Sequence, residues 1–585
     1  MSTPEPTVTA ATSPLRATFR SHDGAELHYR HWPAASPAKR ALLLFHRGHE
    51  HSGRWEETVR ALNLPETEIF AWDARGHGAS PGERGTAEHI GVLIRDVEEF
   101  VRHVSRTHEI AVEEMIVVAH SVGAVVVTAW VHDFAPQIRG LVLATPAFKV
   151  RLYVPLAVPF LRLRDRLKPG GYVKSYVKAK MLTHDPEQAL GYERDQLVFP
   201  QISVKMLLDL HDTGARLVAD ASAIRVPVLM FSAGADWVVD NRVQDLFFQR
   251  LSSSDKTRRV LPGFHHAIFH ERERNVVIDH VREFVLRLFA EPREQRKSLC
   301  DADQTGYTKS EHFEMLQAPH TLGAKIARFG FNTLGRFSGG IALGLRTGFD
   351  SGETLDYVYE NRPGGVSMLG RLMDRAYLES PGWSGIRMRR LHLEQMLQAA
   401  MREQHAAGKS VHILDAACGG GRYVLETLAA LREIPASALL RDYKSGNLEV
   451  AERHRVKLGL DSVQILQGDA FARDSFANLE PRPTIGIVSG LLELFPSNEL
   501  ARACLGGFAD ALEPEGVLIY TGQPWHPQLR FIAGVLRNRE GEPWVMRRRT
   551  QEEMDELVRE AGFVKEEQAV DPWGIFTVSR ARRVA

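Results

Sequence analysis

Apolar residues fall into short unbroken runs separated by longer stretches of helical period, and this rhythm occurs twice along the chain. In the first half the runs are RALLLFH, EIFAWD, MIVVAH, GLVLAT, PVLMFS and TRRVLP. Short, fully apolar runs bounded by turn formers predict strands buried on both faces, hence a mostly parallel sheet covered by helices. The rhythm breaks between Ala147 and about Ala223, where FKVRLYVPLAVPFLRLRDRLKPGG opens a basic, apolar insertion of helical character. A charged stretch, AEPREQRKSLCDADQTGYTKSEH, then predicts a linker over 291–320. Residues 321–404 are rich in Gly, Arg and Tyr and read as helical. The second alternating pattern opens at VHILDAACGGGR and fills 405–585. Thr550 and Glu553 make a capping box for the helix QEEMDELVREAGF, and Gly562 stops it. The predicted fold class is α/β in both halves, 16–290 and 405–585. A polar tail, 1–15, reads as disordered.

Composition changes this picture little. At 585 residues the chain exceeds what one core usually organises, so two domains are expected. Lys+Arg and Asp+Glu both count 73, and a net charge of zero argues against broad binding to nucleic acid. Cys300, Cys418 and Cys504 have neither disulfide nor metal-ligand spacing, which points to a reducing, cytoplasmic setting. The longest uncharged apolar run, Met115 to Val131, contains a His-Ser pair and predicts a strand and helix, not a membrane span.

Candidate chemistry in the first half is a serine held in a tight turn. MIVVAH runs into Ser121-Val122-Gly123 and then AVVVTAWVHDF, a strand–serine–helix order whose turn needs small neighbours. Ala119 stands where such elbows usually carry glycine. An acid after VPVLMF (Asp236 or Asp240) and a histidine after RRVLP (His265 or His266) complete the order serine, acid, histidine. The backbone N–H of Val122 is one expected oxyanion donor, and Gly48 in the loop after ALLLF is the second.

The stretches HRGHEHSGRW, WDARGHGASPGERG, AHSVG, LTHDPE, GADWVVD and PGFHHAIFHE resemble the monoacylglycerol lipase and lysophospholipase branch of α/β-hydrolases. The resemblance covers about the first 290 residues. It implies Ser121, Asp236 and His266 as a catalytic triad, with 147–223 as a lid over an acyl pocket. Arg47 departs from the pattern. Two readings stand for it, a solvent-facing arginine and a guanidinium that binds a phosphate or carboxylate of the substrate. His46, His49 and His51 lie close in sequence, but the family already explains this turn, and no metal is expected.

In the second half, VHILDAACGGGR is a buried strand turning through glycines into a helix, a form that lets backbone approach a nucleotide-like ligand. The strand ALLRD ends in Asp442, placed to accept from ribose hydroxyls, and VQILQ leads to Gly468-Asp469-Ala470-Phe471, where an acid beside an aromatic suits adenine. These residues resemble class I S-adenosylmethionine-dependent methyltransferases with a Rossmann-like fold. The resemblance implies Asp415, Gly419, Gly421, Asp442 and Asp469 as cofactor-binding residues, with Cys418 as a small motif residue and not a nucleophile. SGLLELFP, YTGQPWHPQ, EPWVMRRRTQEEMD, DPWGIFTVSRA, TGFDSGETLDYVYEN and GWSGIRMRR resemble the methyltransferase half of bacterial hydrolase–methyltransferase fusions. Glu493, Tyr520, Trp525 and His526 are acceptor-side candidates, Trp525 and His526 foremost.

The expected activities are ester hydrolysis on monoacylglycerol or lysophospholipid and methyl transfer to a small, lipid-related acceptor. Two alternatives accompany them: hydrolysis of soluble esters or thioesters, and a second half that binds S-adenosylmethionine only as a regulator. The basic, apolar segments 147–223 and 321–349 suit peripheral contact with an anionic membrane or packing within the protein.

Overall fold

The computed structural model describes residues 13–293 and 295–584. The chain divides between Arg296 and Lys297 into two compact units.

Among the described residues, ten strands form in the first unit: β1 (Leu15–Arg20), β2 (Glu26–Trp32), β3 (Ala41–Phe45), β4 (Glu68–Trp72), β5 (Met115–His120), β6 (Gly140–Ala144), β7 (Tyr172–Lys174), β8 (Gln201–Ser203), β9 (Val228–Ala233) and β10 (Lys256–Leu261). Eight of them build one sheet in the order β1-β2-β4-β3-β5-β6-β9-β10, while β7 and β8 pair separately. From β4 to β10 the pairs are parallel, as the apolar runs predict. The β1–β2 hairpin is antiparallel and continues antiparallel onto β4. Most residues of LRATFR face solvent, so this edge carries no continuous apolar run and lacks the signal of a buried strand. Leu15 already belongs to β1, so the expected tail ends sooner; residues 1–12 lie outside the described residues.

The insertion after β6 carries the helices Ala157–Leu167, Pro186–Arg194 and Val204–Ala219 together with the β7–β8 ribbon. Ser203 caps the last helix by accepting from the N–H of Met206. That helix buries Leu207, Leu210 and Leu217, whereas Ala157–Leu167 buries none of its residues.

Among the described residues, seven strands form in the second unit: β11 (Val411–Asp415), β12 (Ala436–Asp442), β13 (Val463–Gln467), β14 (Ile485–Val488), β15 (Val517–Gly522), β16 (Phe563–Val570) and β17 (Thr577–Arg583). Their order is β13-β12-β11-β14-β15-β17-β16, parallel except for β17, which runs antiparallel to both neighbours. This is a Rossmann-like sheet whose strand order reverses between β11 and β14, the place where open α/β sheets bind ligands. A helical layer over 307–406 precedes it, ending in the long helix Pro381–Ala406.

The expected linker is not a linker throughout. Tyr307–Gln317 is helical and Thr308 is buried. Arg547, itself buried, donates to Thr308, Asn498 and Glu553, and Asn498 donates to the carbonyl of Cys300. Buried guanidinium groups need such partners, and they fasten 300–308 to the domain.

Candidate active sites

Strand β5 is buried along its whole length and delivers Ser121 at its carboxyl end. Ser121 has φ 55° and ψ −112°, an unfavourable conformation held by Ser121 N–H to the Ala144 carbonyl (2.9 Å) and Ala147 N–H to the Ser121 carbonyl (3.1 Å). A Cβ at Gly123 would come within 2.4 Å of the His46 carbonyl oxygen, so only glycine fits the turn.

His266 Nε2 lies 2.7 Å from Ser121 Oγ, and His266 Nδ1 lies 2.9 Å from Asp236 Oδ2. The three residues are buried. Burial pushes the Asp236 carboxyl up, but His266 and the N–H groups of Val238 and Val239 outweigh it and hold Asp236 below its ordinary value. His120 and Thr145 both donate to the carbonyl of His266, at 3.1 Å each, and fix its backbone.

The competing residues sit elsewhere. Asp240 caps the helix Asn241–Arg250 and pairs with Lys149. The ring of His265 stacks on His184 at 3.7 Å, beside Glu271, whose oxygens already accept from the backbone of His184 and His265. Gly48 lies against the side chain of Val122, which opens the helix after Ser121.

The solvent-facing reading of Arg47 is corrected. Arg47 is 4% exposed, donates to Glu50 Oε1 at 2.7 Å, and stacks on the ring of Tyr192 at 4.9 Å. Its charge is met by Glu50, while its Nε has no hydrogen-bond partner. Of the clustered histidines, His46 bonds the Arg47 carbonyl and the Ala74 N–H, and His51 bonds Gly53 N–H and Asp195.

In the second unit Gly419 (φ 54°) and Gly421 (φ 64°) carry the turn after β11, and space is open where a Cβ on Gly419 would stand. Asp442 ends β12 and accepts from Gly419 N–H (2.9 Å), Lys444 N–H (2.9 Å) and Asn447 Nδ2 (3.0 Å), which leaves Oδ2 room for one hydroxyl. Beside it a cavity of about 400 Å³ is lined by Tyr443, Lys444 and Asn447. Glycines that open the backbone and an acid beside a cavity fit the adenosine end of S-adenosylmethionine. Asp469 is exposed and turned back onto the N–H of Phe471. Asp415 is fully buried; burial pushes its carboxyl up to about 7 against the hydroxyl of Tyr423, which donates at 2.5 Å. Cys418 is buried and its thiol is pushed far up, so it stays protonated.

Outside β14 and β15 lies a second, larger cavity of about 440 Å³. Glu493 and His526 line it; Trp525 is not among its lining residues and instead packs against the neighbouring apolar cluster. Tyr520 is buried with its hydroxyl turned to Asp555. Burial pushes His526 down to about 4, and its Nδ1 accepts from Gln528 N–H, so the neutral ring carries its proton on Nε2. Arg389 and Gln523 also line this cavity. They stand in GWSGIRMRR and YTGQPWHPQ, blocks that the family resemblance singles out.

Residues 281–583 match the family described as "Putative methyltransferase". The chain belongs to this family. Residues 36–273 match the family described as "Serine aminopeptidase, S33". The chain therefore joins an α/β-hydrolase of the monoglyceride lipase type to a methyltransferase-family domain. The Escherichia coli protein named "Uncharacterized protein YnbC" is 47% identical over 574 residues, covering 97% of this chain and 98% of its own. The "Monoacylglycerol lipase" of Mycolicibacterium smegmatis is 27% identical over 279 residues, 46% of this chain and 96% of its own. The "Monoglyceride lipase" of Homo sapiens is 25% identical over 256 residues, 43% of this chain and 82% of its own.

Proposed function

We propose that the first unit is a serine hydrolase of acyl esters of the monoacylglycerol or lysophospholipid kind, and that the second transfers methyl groups from S-adenosylmethionine. The observation that carries the first reading is the run of contacts from Ser121 Oγ to His266 at 2.7 Å and from His266 to Asp236 at 2.9 Å.

In that reading Ser121 Oγ attacks the ester carbonyl while His266 Nε2 takes its proton, and Asp236 holds the imidazole in the tautomer that can accept it. The N–H groups of Val122 and Gly48 receive the oxyanion. His266 then returns the proton to the departing alcohol, leaving an acyl-serine. Water, deprotonated by the same histidine, releases the fatty acid.

In the second unit S-adenosylmethionine would supply a methyl group on a sulfonium. Gly419 and Gly421 would admit it to the backbone, Asp442 would accept from its ribose, and the switch point would set it beside the larger cavity. A cytoplasmic setting would agree with the free thiols of Cys300, Cys418 and Cys504. No helix among the described residues is long and apolar enough to cross a membrane. Lipid profiling of cells carrying the intact chain, Ser121→Ala or Asp415→Ala tests both halves. Ser121→Ala should accumulate an acyl ester, and Asp415→Ala should deplete a methylated product. Unchanged profiles overturn the reading.

A further inference from the structure

The helical layer of the second unit leaves an apolar face uncovered. In the helix Leu322–Thr333 no residue is buried. Leu322, Ile326 and Phe329 stand at i, i+4 and i+7 on one side of it and are 75%, 64% and 71% exposed. On the helix Met368–Leu378, Met368, Leu369 and Leu372 are exposed in the same way.

The turn Leu334–Phe337 joins the two helices. The Phe337 carbonyl accepts from Val366 N–H at 3.2 Å and leaves no room for a Cβ on Gly370, so the second helix starts hard against the end of the first. Leu334 and Phe337 are themselves exposed, and the apolar residues of both helices connect through them. Single exposed apolar residues are ordinary, but a connected set on one layer marks a surface that meets something.

The charges around this face have one sign. Residues 321–349 and 361–373 contain no Asp or Glu, while Lys325, Arg336, Arg362 and Arg371 are exposed within them. The acids that follow the two stretches turn inward. Asp374 is fully buried and accepts from Ser338 Oγ at 2.6 Å and Gly340 N–H at 2.7 Å. Asp350 accepts from the Arg539 backbone at 2.6 Å and from its Nε at 2.9 Å. Apolar side chains rimmed by cations suit the boundary between acyl chains and acidic headgroups, where each exposed cation adds to the attraction. The same two helices contribute Phe331, Met373 and Tyr377 to the lining of the larger cavity, so the face that would lie on lipid also walls an apolar cavity.

We propose that this face seats the second unit on an anionic lipid bilayer, with Leu322, Ile326, Phe329, Met368 and Leu369 among the acyl chains and the four cations among the lipid phosphates. The inference does not depend on the methyltransferase reading, which stands or falls by itself.

Co-sedimentation of the full chain with vesicles of phosphatidylglycerol, and with vesicles of phosphatidylcholine for comparison, tests it. Binding should be tighter to phosphatidylglycerol. Ile326→Glu with Phe329→Glu should weaken that binding by about tenfold or more, with the urea midpoint of the second unit unchanged because both side chains are exposed. Lys325→Gln with Arg336→Gln, which keeps the apolar side chains, should weaken binding to phosphatidylglycerol by about tenfold and leave binding to phosphatidylcholine as it was. This second pair decides the matter if the first lowers the midpoint. No vesicle binding by the intact chain, equal binding to both lipids, or binding that either pair leaves unchanged overturns the inference. So does a chain that self-associates in solution and loses only that association in the Ile326→Glu, Phe329→Glu variant, since the face would then be an interface between copies.

Discussion

Arg47 and Glu50 form a buried ion pair at 2.7 Å in the loop that follows β3. Glu50 also accepts from Arg54 at 3.3 Å, so one carboxylate ties together the loop that carries Gly48. Burial pushes the Glu50 carboxyl up, but Arg47 in particular holds it far below its ordinary value. Removing Arg47 would leave the buried Glu50 with Arg54 as its remaining hydrogen-bonding cation, at a cost of about 1–3 kcal/mol. Arg47→Met is expected to lower the urea midpoint of the first unit by a corresponding amount. An unchanged midpoint would show that the Arg47–Glu50 pair contributes nothing to stability.

Asp236 and Asp240 lie in the same loop but do different work. Asp236 meets His266, whereas Asp240 accepts from Arg242 N–H at 3.1 Å as a helix cap. Asp236→Asn should therefore reduce kcat on a p-nitrophenyl ester by about 10⁴-fold. Asp240→Asn, which keeps a capping side chain, should leave kcat within about twofold and stability within about 1 kcal/mol. Equal losses in the two variants would remove Asp236 from its assigned role.

What could be read from the chain was whatever local pattern encodes. The parallel strands announce themselves as apolar runs, and the loop residues after β5, β9 and β10 follow directly from them. Features made by long-range partners were not readable in the same way. Arg47 looks exposed in sequence because the ring that covers it, Tyr192, lies in the insertion far along the chain. The stretch 300–308 looks like a linker because its anchor, Arg547, arrives some 240 residues later. The larger cavity draws its walls from the helical layer and several strand-end loops, so no single motif spells it out.

Asp415 offers a test by pH. Burial pushes its carboxyl up to about 7, from 3.8, while the Tyr423 hydroxyl and Ala417 N–H pull the other way. The folded state therefore keeps a proton that the unfolded chain gives up at lower pH. The corresponding stability is fully present below pH 3.8 and is lost as pH rises through about 7. Asp415→Asn, which cannot ionise, should lack this decline. Urea midpoints of the second unit at pH 5 and pH 8 should differ more in the parent chain than in the variant, on the order of 1–4 kcal/mol. Parallel behaviour of the two proteins would show that Asp415 is ionised in the fold.

The helix Ala157–Leu167 leaves an apolar face exposed. Leu156, Phe160, Leu163 and Leu167 are 78%, 66%, 57% and 77% exposed, and their spacing places them along one face. Arg164 and Arg166 flank them and Arg162 pairs with Asp212, a mix of apolar and basic groups that suits an anionic bilayer. Replacing Phe160 and Leu163 together with Glu removes apolar contact and adds charge that the bilayer repels. Co-sedimentation with phosphatidylglycerol vesicles should fall by about tenfold or more, and hydrolysis of micellar long-chain esters should fall with it. Neither residue touches Ser121, Asp236 or His266 through any hydrogen bond, so hydrolysis of a short soluble ester should hold steady. Raising the salt should weaken the parent's binding as the arginine contribution is screened. Vesicle binding that survives both the double substitution and high salt would mean that this helix packs elsewhere and does not lie on the bilayer.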